Sequence, residues 1–405
     1  MFLANYKEQY KIFEQNNGLE YMNEAIDLCN MDLFDYHSKR IKKFTLLRSL
    51  KESNFAINEI YDEDSEEKLE TFDNLELEDI LNHYNKKIID IERNIIHTDS
   101  GTHISDGIDD LLSELENSPV MGFDCGINSL NYYLYGLRKK YYLISASSGL
   151  GKTRMQVFFC LQLGYHQKEP VLFISTELPK DEIQTMMISY IANIEERKIL
   201  MNDLTTEERK RKEKAKEELK QSNIYIIYEP DFDLEKIEHI IKRYILSKKI
   251  QFCFFDYIKE SISMIEGINK RVGKIDGWKA LNLFSQRLKM LVEKYGVGIM
   301  SATQINKDGD TAGSRGIPND VDVWCKLRSV TKDENEKFDF DLLGTNEEIL
   351  VIEDKKNRRG MSDFNVYLKT NLGKLYYKEI LVTKNDNPIK VPIVKFDNEG
   401  DVFSM

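Results

Sequence analysis

Cysteine is scarce in this chain and poorly spaced for any framework. Its five residues, Cys29, Cys125, Cys160, Cys253 and Cys325, are odd in number and far apart. None forms a Cys-x-x-Cys or His/Cys spacing that suggests zinc. Most sit among apolar neighbours, so buried free thiols in a reducing compartment are expected. Long hydrophobic runs are missing too: no stretch reaches the roughly 18 apolar residues that a membrane-spanning helix needs. Residues 1–15 mix polar and aromatic side chains, unlike a signal peptide. The expected location is cytoplasmic, with no membrane contact. Nor is there an excess of positive charge. Lys and Arg number 57 against 69 Asp and Glu, a net charge of −12. A surface that binds nucleic acid throughout is usually basic, so any such contact must be local, on loops or in a channel.

What is present is enough apolar material for a large core (41% hydrophobic) under a highly charged surface (31% charged), over 405 residues. Two or three domains are expected at this length. The central signal is Ala146-Ser147-Ser148-Gly149-Leu150-Gly151-Lys152-Thr153. It fits the phosphate-binding loop, with Ala where the strict pattern starts with Gly. An apolar run, 141–144, precedes it as a strand, and Met155, Val157, Phe158, Phe159, Leu161 and Leu163 follow as a helix. In such a loop the backbone N–H groups converge on phosphate oxygens at a helix N-terminus. Lys152 would reach the outer phosphates of ATP and the Thr153 hydroxyl would hold Mg²⁺.

Residues 1–75 read as a small helical domain. Ile41, Phe44, Leu47 and Leu50 share one helix face, with Lys39, Arg40, Lys42, Lys43 and Arg48 around it. Residues 76–119 read as a linker. Leu77, Ile80, Tyr84, Ile88, Ile91 and Ile95 make one stripe on a single long helix, which needs either the N-terminal helices or another subunit as partner. A second, short amphipathic helix carries Ile108, Leu111, Leu112 and Leu115; it could dock on a neighbouring subunit or on its own core.

Residues 120–405 read as one domain, and from about 120 to 380 strands alternate with helices, the pattern of an α/β domain with a mostly parallel sheet. The strand 171–175 ends near Glu177, a candidate for polarising an attacking water. The strand 252–256 ends in Asp256, near the expected Thr153–metal pair. The strand 296–304 ends in Gln304, placed to sense a γ-phosphate. Two segments are read as loops after core strands. One, 260–276, carries Lys270, Arg271 and Lys274; the other, 306–318, carries Lys307 and Arg315. Scattered cations on such loops could line a channel for single-stranded nucleic acid. A strand at 349–353 is followed by a basic turn, Lys355-Lys356-Asn357-Arg358-Arg359-Gly360. A cluster of this kind can supply charge in trans to a neighbour's phosphates. Val391 to Phe396 is strand-like.

Taken in order, these residues resemble the replicative DNA helicases of the DnaB type, in a shortened form of the kind phages and mobile elements carry. The likeness spans roughly 77–377. It runs through Gly122 to Leu130, the phosphate loop, Phe173 to Leu178, Phe255-Asp256-Tyr257, Ser301 to Asn306, Ser314 to Asp322 and Lys356 to Gly360. The resemblance implies a RecA-like ATPase core in a homo-hexameric ring moving 5′→3′ on single-stranded DNA. It implies Lys152 and Thr153 on phosphate and metal, Glu177 on water, Asp256 behind the metal, and Gln304 coupling nucleotide to the DNA loops. It further implies Lys356 and Arg358 reaching the neighbour's ATP, the helix near 105–116 docking on the next subunit, and a loader or primase as possible partners. The chain departs from the family at Ala146-Ser147-Ser148 and at Gly313-Ser314-Arg315-Gly316, and its first 75 residues match poorly. Two other readings stay open: a RecA-type recombinase filament, and a regulatory or defence protein that uses ATP only to switch assembly.

Overall fold

The computed structural model describes residues 34–53, 55–96, 104–117, 121–272, 276–305, 316–340, 347–358 and 360–396. The chain divides into two compact units, Met1–Asp106 and Gly107–Met405.

In the first unit, helices α1 (Phe34–Glu52), α2 (Glu66–Asn74) and α3 (Leu77–Ile96) enclose a small core of Leu47, Ile60, Phe72, Ile80 and Tyr84. The partner of the long stripe is therefore local, at least for Ile80 and Tyr84. Ile88 is exposed, and the side chains of Ile91 and Ile95 lie outside the described residues. The basic face of α1 is spent on structure: Arg40 pairs with Asp73 at 2.6 Å, and the buried Lys43 ammonium donates to the Phe72 and Asp73 carbonyls that end α2.

The second unit begins with α4 (Ile108–Asn117) and α5 (Asn128–Leu134). A ten-stranded sheet follows, in the order β10-β9-β8-β7-β6-β1-β5-β4-β2-β3. Strands β1 (Tyr141–Ala146), β2 (Val171–Ser175), β3 (Ile224–Tyr228), β4 (Phe252–Asp256), β5 (Gly298–Gln304) and β6 (Val323–Ser329) pair in parallel. Strands β7 (Glu348–Asn357), β8 (Phe364–Asn371), β9 (Tyr376–Lys384) and β10 (Asn387–Pro388) extend it antiparallel. The central strands β1, β2 and β4 are buried at every position, as expected when helices cover both faces. One face packs α5, α6 (Lys152–Leu161) and α7 (Lys180–Ala192). After α7 come α8 (Glu196–Leu200) and α9 (Thr206–Lys220); the other face packs α10 (Leu234–Lys248), α11 (Ile262–Val272) and α12 (Gly277–Tyr295). Short helices α13 (Ile317–Asp320) and α14 (Lys332–Phe338) complete the set.

The capping box read at Thr205 and Glu208 is present, and Asp233 caps α10. Three expectations need correction. The segment 260–276 is largely helical, not a loop. Met264 and Ile268, four apart, bury against α12, and the Ser261 hydroxyl accepts the Met264 N–H at 3.2 Å as an N-cap. Lys355, Lys356 and Asn357 continue β7, because Lys356 and Asn357 still pair with Trp324 and Val323; the turn starts at Arg358. Val391 to Phe396 joins no strand: Pro388 and Pro392 interrupt ladder donors, and the segment is held instead by Asn128, through Pro392 O and Val394 N. The four described cysteines are buried and free. No helix among the described residues is long and apolar enough to cross a membrane.

Candidate nucleotide site

Parallel pairing sets the geometry of the site. Strands β1, β5, β4 and β2 are consecutive in the sheet and point the same way, so their carboxyl ends form one edge. On that edge stand the phosphate loop after β1, Gln304 at the end of β5, Asp256 at the end of β4 and Glu177 just beyond β2. Ala146, the first residue of the loop, is in direct register with Gln304.

The loop itself is open. Ser147, Ser148 and Gly149 are exposed, Leu150 and Gly151 half-buried. Gly149 and Gly151 have φ of +81° and +83°, a region where a side chain is strained. Lys152 folds back over the loop, its ammonium donating to the Ala146 and Ser147 carbonyls at 3.2 Å each. Burial lowers its pKa, and the nearby Asp256 and Glu177 carboxylates oppose that shift.

The Thr153 hydroxyl donates to Asp256 Oδ2 at 2.6 Å. Asp256 is fully buried, and its Oδ1 has no hydrogen-bond partner. Burial pushes its pKa up to about 6, against the pull of Thr153. A buried carboxylate oxygen with an unspent lone pair, beside a hydroxyl, suits a hard cation with oxygen ligands. Among the described residues no cluster of three His, Cys, Asp or Glu exists, so phosphates and water would have to complete the coordination.

Glu177 is exposed, and its charge is felt by Lys152, Asp256 and Tyr257. Gln304 donates to the Tyr257 hydroxyl at 3.4 Å. Sequence reading passed over Thr176 and Tyr257. Thr176 is 1% exposed, its N–H bonds Asp256 O at 2.7 Å, and its hydroxyl bonds both the N–H and the carbonyl of Tyr257. A polar residue buried one position before a strand-end acid was the available signal.

Lys356 and Arg358 are elsewhere. Lys356 pairs with Trp324, near the start of β6, and β6 runs parallel to β1 with Val323 beside Tyr142. The basic turn therefore lies at the amino edge of the parallel strands, one strand length from the phosphate loop of its own chain. Six residues of β1 set that gap at roughly 17 Å. There Lys356 donates to the Pro318 and Asn319 carbonyls (2.7 and 2.9 Å), and Arg358 donates to Asn319 O at 2.8 Å and lies 3.7 Å from Asp322. Lys270 and Arg271 fall in α11, but their side chains lie outside the described residues, as do Lys274, Lys307 and Arg315 altogether.

This combination of edge and turn has relatives. The profile of the DnaB-like helicase C terminal domain matches residues 122–322. The SPbeta prophage-derived uncharacterized protein YorI of Bacillus subtilis (strain 168) is 33% identical over 96% of this chain and 85% of its own length. The chain belongs to the DnaB-like helicase family. The replicative DNA helicase DnaB of Treponema pallidum is 23% identical over 56% of this chain, which spans about half of that relative's length (53%). Among solved structures, a DnaB-like replicative helicase studied with primase superposes with a TM-score of 0.56 at 17% identity, over 93% of this chain and 85% of that one. An isolated ATPase domain gives 0.58 at 17%, over 69% of this chain and all of that domain. Membership makes this a DNA helicase ATPase that binds nucleotide with a metal, on a RecA-like core.

Proposed function

We propose that the chain is a replicative DNA helicase that works as a six-membered ring, splitting ATP at subunit boundaries and moving 5′→3′ along single-stranded DNA. The observation that carries this reading is the separation of Lys356 and Arg358 from the phosphate loop of the same chain. A cation roughly 17 Å from the phosphate loop of its own chain is too far to neutralise charge there, which favours a use in a neighbour's site. The apolar face of α4 supports a neighbour as well: Ile108, Leu111, Leu112 and Leu115 are 39–53% exposed. We propose that this face docks on the next subunit, and that residues 1–75, 76–119 and 120–405 act as N-terminal domain, linker and motor.

In this reading the loop N–H groups and Lys152 bind the phosphates of ATP. Thr153 and Asp256 would hold Mg²⁺, which would supply neutralisation of phosphate charge. Glu177 orients the attacking water, and Gln304 faces the γ-phosphate while tied to Tyr257. Arg358, with Lys356, completes the site from across the boundary. Cations at Lys270, Arg271, Lys274, Lys307 and Arg315 would grip DNA phosphates rather than bases, giving little sequence preference. A loader or primase is a further expected partner, and the site would work in the cytoplasm.

The test mixes two dead variants. Glu177→Gln should bind ATP without turning it over, and Arg358→Ala should bind ATP and hydrolyse it about 10³-fold more slowly. Mixed rings should regain activity, because some boundaries then pair an intact Glu177 with an intact Arg358. No recovery on mixing, or normal hydrolysis by either variant alone, would end this reading.

A further inference from the structure

We propose that Lys259 is a positioning residue for Glu177, holding the strand end that carries the catalytic carboxylate and joining it to the segment that leads into α11. The inference rests on the reading of Glu177 as the group that orients water.

Strand β2 stops pairing at Ser175, which faces Asp256. The next residue, Thr176, is already beyond the ladder but still buried. Its N–H is satisfied by Asp256 O and its hydroxyl by the Tyr257 backbone. Its carbonyl takes part in none of these bonds. Among the described residues, the group that satisfies this carbonyl is the Lys259 ammonium, at 2.7 Å. A buried carbonyl left without a donor is costly, and a strand end can escape that cost by rotating its peptide toward water. The peptide in question is the one that links Thr176 to Glu177. Rotating it would swing the Glu177 side chain.

Lys259 is itself fixed. It is half-buried, its ammonium lies 5.7 Å from the Tyr257 ring centre, and its charge reaches Asp256. It sits three residues after Asp256 and three before α11 begins at Ile262. One side chain thus ties the metal-side strand, the water-side strand and the start of α11 together. Tyr257, two residues earlier, receives Gln304. A shift of α11 therefore reaches the peptide that carries Glu177 through this bond, beside the bonds that Thr176 makes to Asp256 and Tyr257.

The experiment uses the full chain with Lys259→Met and Lys259→Arg. Sites are counted with a fluorescent ATP analogue, steady-state kcat and KM for Mg–ATP are measured, and amide hydrogen exchange is followed across residues 172–180. Lys259→Met, which keeps the bulk and loses the donor, should lower kcat about tenfold at unchanged KM and site count, as expected for a misaimed group. Exchange across 172–180 should quicken. Lys259→Arg restores a donor and should recover both readouts. Wild-type kcat with wild-type exchange in Lys259→Met overturns the proposal, and so does an Arg variant as impaired as Met. If the wild-type chain itself fails to hydrolyse ATP, the helicase reading fails on its own. Exchange then judges the tie: quicker exchange in Lys259→Met upholds it, and unchanged exchange overturns it.

Discussion

In the proposed site the two edges of the parallel sheet would carry the two halves, and they are built in opposite ways. At the carboxyl edge the polar groups converge on each other. Lys152, Thr153 and Asp256 are held within hydrogen-bond reach of the loop or of one another, and one buried oxygen of Asp256 is left over. At the amino edge the cations lie on backbone carbonyls of the short helix α13, Pro318 and Asn319, and Arg358 stays exposed. In the first half Lys152 and Asp256 are buried beside an open loop, suited to a ligand that enters the same chain. The second half is held by backbone carbonyls, with only a long 3.7 Å contact from Arg358 to the Asp322 carboxylate, and a phosphate can outcompete such acceptors, since charge-assisted bonds are roughly twice as strong as neutral ones. The lesson is that preorganisation is spent where the nucleotide sits, and exchangeable contacts are kept where a partner must be reached.

The strongest way to break this comparison is at the buried edge. Lys152→Ala should abolish ATP binding in a calorimetric titration, whereas Arg358→Ala should leave the dissociation constant within a few-fold. Equal losses in both would mean that the halves are not divided as described. Next, Leu111→Asp combined with Leu115→Asp should shift the oligomer toward single chains in sedimentation runs with nucleotide, without lowering the melting temperature. An unchanged oligomer would remove α4 from the boundary. A smaller effect concerns two buried carboxylates. Asp256 and Asp354 each have an oxygen without a partner, and burial pushes Asp354 up to about 7 despite an N–H from Asp363. The ordinary value in the unfolded chain is about 3.9. The folded state therefore holds the Asp354 proton more tightly. Its stability falls as pH rises from about 4 to about 7, and the deficit is complete above that. Asp354→Asn should gain of order 1 kcal/mol over wild type at pH 8 and little at pH 4, read by urea unfolding. The reverse order would show that Asp354 is better solvated than its burial implies. Last, DNA affinity should fall with salt at a log–log slope of about −0.7 per phosphate contacted; a flat response would separate the cationic segments from backbone gripping.

The carboxyl edge was legible because each strand there is a largely apolar run that gives way to a polar residue at or just past its end: Ser147, Glu177, Asp256, Gln304. Burial on both faces writes itself as continuous hydrophobicity, and the edge is where that stops. The amino edge was legible only as a basic cluster. That Lys356 still belongs to β7 depends on pairing with Trp324, a residue distant in sequence, and local pattern carries no record of it. The helix at 262–272 was missed for a different reason. Its cations drew attention, while the Ser261 cap and the Met264–Ile268 spacing went unread. Thr331 and Glu334 form a capping box ahead of α14 that was likewise overlooked.

Ten strands joined by continuous hydrogen bonding form a plate that resists shear along its whole width. Both halves of the proposed machinery are mounted on that one plate, at different margins. Tension created when a nucleotide is clasped therefore has little room to dissipate inside a protomer. In the proposed ring it would appear as the tilt of one entire plate against the next, so the natural coordinate for following such a machine would be an angle between protomers rather than any distance within one.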